Sequence, residues 1–286
     1  MPQSPVPVFE TADEISAETS VVVILQTAQT GFGPRAMALD TEMSGILSRA
    51  CSDVALLAES GACIDVIAPQ AVSARRVIVL ALGKAEAVTA LSLTRAGGLL
   101  AAHLESKGEC AATLILDAIA GVDLPGAEIM ARVALGMRLR RYRFDMRNRR
   151  AGAGADRTLR VQLVGAGGPA LNSALARIDA IADGVEYART LVNLPPNHLH
   201  PDNFHDHLEP LREAGIDVEI LDTARLGELG MNAILAVGSG SVRPPRVAVL
   251  RYRGKGAPHS RWPSSARVSV LTPAASASSA ASRCSI

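Results

Sequence analysis

Aromatic residues are scarce: four Phe, three Tyr and one Trp among 286 residues. That leaves little surface for stacking bases and excludes a single-strand binding platform as the main role. Cysteines are equally sparse. Cys51, Cys63, Cys110 and Cys284 form no CxxC pair, so reduced cytoplasmic thiols are expected rather than a disulfide framework. No sign of charge prevails, since 29 Lys and Arg face 28 Asp and Glu. Neither nucleic acid nor an anionic membrane is therefore the obligatory partner of the whole chain. No apolar run is long enough to cross a bilayer. The opening MPQSPVPVFETADE lacks the basic and apolar regions of a signal peptide, and a cytoplasmic location is expected. The most telling absence comes late. After Glu228 there is no Asp or Glu as far as Ile286.

About half of the residues are apolar (48%), enough to bury one large core or two modest ones. Residues 1–18, rich in Pro and acid, predict a flexible N-terminus. VVVILQ (21–26), RRVIVLALG (75–83), ATLILDA (112–118) and TLRVQLVGAGG (158–168) predict strands, and residues 85–104 carry helical spacing. That alternation predicts βαβ crossovers and a largely parallel sheet over 19–168. Residues 169–191 predict a long helix, stopped by the prolines of NLPPN (193–197), near which a domain boundary is expected. A helix at 201–215 with Asp202 as cap, strands at 216–221 and 246–252, and a turn of helix from Asp222 to Gly230 then open a second unit. It is expected to reach residue 258.

Several stretches invite chemistry. GAGG (165–168) follows a strand but misses the GxGxxG spacing, and GSGS (238–241) lacks the GK[ST] of a phosphate loop; both predict turns. His198, His200, His205 and His207 do not follow a zinc-ligand spacing, and surface histidines are expected. MRLRRYRFDMRNRR (137–150) gathers Arg138, Arg140, Arg141, Arg143, Arg147, Arg149 and Arg150. That basic run is a candidate grip on DNA phosphates, set against a solvated face or a subunit contact.

From position 182 onward the sequence becomes specific. ADGVEYARTLVNLPPNHLHPDNF (182–204) and LGMNAILAVGSGSVRPPRVAVLRYRG (229–254) resemble the start of the catalytic domain of leucyl (cytosol) aminopeptidases. VIVLALGK (77–84), RAGG (95–98) and YRFD (142–145) more loosely resemble that family's N-terminal domain. The resemblance implies an α/β fold: a macro-domain-like N-terminal domain followed by the incomplete start of an α/β aminopeptidase catalytic domain. It further implies removal of N-terminal residues, leucine preferred, from peptides. Two adjacent divalent metals (manganese, zinc or magnesium) would serve that reaction in a cytoplasmic homo-hexamer, and some members act as DNA-binding architectural factors. Paired cations activate a bridging water and need several carboxylates to hold them.

The family's ligands reside in VGKGxxFDxGG and in later KxDMxGAA-like and NTDAEGR-like motifs. None stands in this chain. Lys255, in RGKGAP, lacks the following FD. Yet if the codons of the tail are read one base early, Ser265–Ser269 permit V-G-K-G-V. Val270–Ser279 then permit C/G-F-D-T/S-G-G-I-S-I-K, and Ser260–Ser264 permit an apolar run. Arg267 and Thr272 stand where the metal-binding Lys and Asp would be. A frameshift near Ala257–Ser260 explains the agreement, and residues 259–286, mostly Ser, Ala and Arg, are expected to be disordered. The expected product binds no catalytic metal and is inactive, leaving a DNA-binding or hexamer-assembly module as the alternative.

Overall fold

A computed structural model describes residues 6–16, 19–28, 30–52, 54–69, 72–119, 121–144, 146, 158–252 and 264–269. They form two compact units, divided between Thr190 and Leu191.

The first unit runs β1 (Val8–Ala12), β2 (Val21–Gln26), α1 (Pro34–Glu42), α2 (Ile46–Ala50), α3 (Val54–Ala58), β3 (Cys63–Ile67) and β4 (Arg76–Ala81). It continues with α4 (Ala90–Ser106), β5 (Ala111–Ile115), α5 (Gly126–Arg141), β6 (Arg160–Val164) and α6 (Pro169–Asn193). The sheet order is β1-β6-β5-β2-β4-β3, parallel throughout except for β3 at one edge. Every residue of β2 and β4 is buried, because helices cover both faces of these strands and no polar alternation is possible. Val21, Val23, Ile78 and Leu80 pack on Leu93 and Leu100 of α4 and Met130 and Val133 of α5. The alternate residues Val22, Ile24, Val77 and Val79 meet Ala36, Leu39 and Met43 from α1, and Leu47 from α2.

Local chemistry fixes the helix ends. Ser92 N–H donates to Thr89 Oγ1 (3.1 Å) and Thr89 N–H to Ser92 Oγ (2.8 Å), a reciprocal cap on α4. Where α4 crosses α5 the backbones touch. A Cβ at Gly97 would lie 2.0 Å from the Val133 carbonyl oxygen, and one at Gly136 would lie 1.8 Å from that of Thr94. After β5, Asp117 accepts from Ala36 N–H (3.0 Å) and from Arg35 (3.3 Å), and so holds the first turn of α1. Gly165 has φ +101° and its backbone abuts the Leu116 carbonyl, so GAGG is the tight turn that its spacing predicts.

Two expectations for this unit are corrected. Val8–Ala12, placed in a flexible N-terminus, is a strand in parallel register with β6; residues 1–5, 17 and 18 of that segment lie outside the described residues. The connecting helix, set apart from the 19–168 domain, packs with it: Leu171, Ala174, Ile178 and Ala182 of α6 join one cluster with Ala131, Ala134 and Leu135 of α5, and the unit ends at Thr190, close to the boundary expected near NLPPN.

The second unit is slighter. A 3-10 turn (Asp206–Leu208) leads to α7 (Glu209–Glu213), β7 (Asp217–Leu221), α8 (Thr223–Glu228), α9 (Asn232–Gly238), β8 (Val247–Tyr252) and β9 (Ser264–Ser269). The three strands form an antiparallel sheet, β7-β8-β9. Asp222 caps α8 by accepting from Arg225 N–H at 2.9 Å, and Gly215 and Gly230 take positive φ after α7 and α8. The helix expected over 201–215 is confined to the 3-10 turn and α7, and Asp202 caps neither. Instead Asn203 closes the turn, accepting from His200 N–H and donating to the His198 carbonyl, both at 2.9 Å. The tail also departs from its expectation: Ser264–Ser269 pairs along β8, since ladder hydrogen bonds are made by the backbone whatever the side chains. Residues 259–263 and 270–286 lie outside the described residues.

Candidate functional site

The arginine run is divided by the fold. Arg138 lies on the buried side of α5, where its side chain is 6% exposed. It donates to Asp179 Oδ1 (2.9 Å), to Asp183 and to Glu186 Oε1 (3.2 Å) on α6. Burial opposes the guanidinium charge, but the three carboxylates outweigh it and hold Arg138 above the usual arginine range. As a DNA contact Arg138 is therefore corrected: its charge is spent inside the unit. Arg143 pairs with Glu105 (2.7 Å), Arg140 is exposed and Arg141 is half-buried. Arg147, Arg149 and Arg150 lie outside the described residues.

Asp179, Asp183 and Glu186 were not singled out by sequence reasoning. Their spacing of four and then three residues, one face of a helix, was the signal that could have found them. The same contact zone is reinforced beyond Arg138. Arg189 donates to the Leu139 carbonyl (2.7 Å) and stacks 5.7 Å over the Tyr142 ring, and the Tyr142 and Thr190 hydroxyls are 3.0 Å apart.

The donor set does not fit a pair of divalent metals. Among the described residues no group of three or more His, Cys, Asp or Glu side chains is arranged to hold a metal ion. Apart from the exposed Glu213, the acids of the second unit each face a partner or form a cap. Asp202 lies 3.9 Å from Arg246, Asp206 lies 3.0 Å from His205, and Glu209 lies 3.4 Å from Arg212. Asp217 and Glu219 both hold Arg251, Asp222 is a cap, and Glu228 pairs with Arg225 (2.7 Å). His198 and His205 are exposed, on either side of the Asn203 turn. Lys255 lies outside the described residues.

Two of the thiols are held in the protonated form. Burial, then the nearby Asp40, pushes Cys51 up to about 11; burial, then Asp65, does the same to Cys63.

Fold and site together define an α/β protein of two units, one built on a mainly parallel six-stranded sheet and one on a three-stranded antiparallel sheet. Comparison with known proteins gives the family. The cytosol aminopeptidase family's N-terminal domain matches residues 21–149 and its catalytic domain matches residues 186–263. The chain belongs to the cytosol aminopeptidase family. A "Probable cytosol aminopeptidase" of Agrobacterium fabrum is 41% identical over 249 residues, covering 85% of this chain and 48% of that protein. One from Rhizobium leguminosarum bv. trifolii is 34% identical over 255 residues, covering 86% and 49%. A tomato leucine aminopeptidase mutant shares the fold at TM-score 0.70 and 22% identity, over 89% of this chain and 52% of that one. The bottromycin maturation enzyme BotP in complex with Mn gives 0.61 and 26%, over 83% and 46%. The chain thus spans about half the length of the curated relatives it matches. No helix among the described residues is long and apolar enough to cross a membrane.

Proposed function

We propose that this chain descends from a metal-dependent leucyl aminopeptidase of the cytoplasm and is itself unable to hydrolyse peptides. The carrying observation is the mismatch between kinship and donors. Both domain signatures of the family are present, yet no carboxylate follows Glu228. A site for two divalent ions needs several such groups to offset the cationic charge and orient the attacking water. In the ancestral enzyme manganese or zinc would supply that activated water and polarise the scissile carbonyl, and a homo-hexamer would be the working assembly. Read one base early, the codons for Arg267 and Thr272 permit the Lys and Asp of that site.

The test is direct. The purified chain with manganese and leucine-p-nitroanilide is expected to give no turnover above a no-enzyme blank. Metal-dependent turnover would refute the reading. Resequencing the DNA across codons 255–262 checks the displacement separately, and an unbroken frame there would remove it.

A further inference from the structure

We draw no further inference here: the strongest candidate, the exposed and uncharged face that Ala233, Ala236 and Val237 form on α9 of the second unit, carries nothing because nothing in the structure shows what covers it.

Discussion

The two units use the same vocabulary of short strands and capped helices but differ in what they bury. In the first, β2 and β4 are enclosed on both faces and long helices pack backbone to backbone at Gly97 and Gly136. In the second, only Leu208, Val218, Leu221, Leu226, Val247 and Ala248 are fully buried apolar residues among those described. They are split between two small clusters on the antiparallel sheet. Val237 and Val242 stand 68% and 99% exposed. Each buried aliphatic side chain contributes about 1.5–3 kcal/mol, so stability resides mainly in the first unit. Local signals for caps and turns can be complete where the core is not.

Three substitutions probe that contrast. Gly136→Ala would break the first unit most severely, because the new methyl would overlap the Thr94 carbonyl and force α4 from α5. A loss of about 3 kcal/mol is expected, read as a lower midpoint in urea by tyrosine and tryptophan-independent circular dichroism at the helix band. Arg138→Ala comes next, leaving Asp179, Asp183 and Glu186 to repel one another. Breaking a fully buried pair costs about 3–5 kcal/mol; the Asp179 and Asp183 side chains remain 51% and 70% exposed, which lowers the expectation to about 2 kcal/mol. The same urea midpoint checks it, and Arg138→Lys should recover only part of the loss because a lysine cannot fork to three carboxylates. Smallest is Asp222→Ala, which removes the cap of α8 at about 1 kcal/mol. Its effect should appear as faster amide exchange confined to the second unit. Equal slowing or quickening in both units would contradict the division of stability.

How far the sequence foretold this structure depended on burial. Continuous apolar runs betrayed β2 and β4 because strands covered on both faces have no polar positions to confuse with loops. β1 went unseen: VFETA sits at a sheet edge, half polar, and its pairing with β6 is a contact across about 150 residues that no local pattern encodes. α5 was obscured by its arginines. A charge buried by partners 41 to 48 positions away reads locally as a solvent face, and only the stripe of acids on α6 could have hinted otherwise. At the candidate site the sequence showed that no Asp or Glu stands between Glu228 and Ile286, but which arginine each earlier acid meets is set by the fold.

Asp117 has one further consequence. In open α/β sheets the mouth beyond the strand ends, where a helix begins, is the customary berth for phosphoryl groups. Here the amide of Ala36 is already taken by a tethered carboxylate. A nucleotide approaching that amide would meet a resident anion of its own sign, and the berth is closed from within.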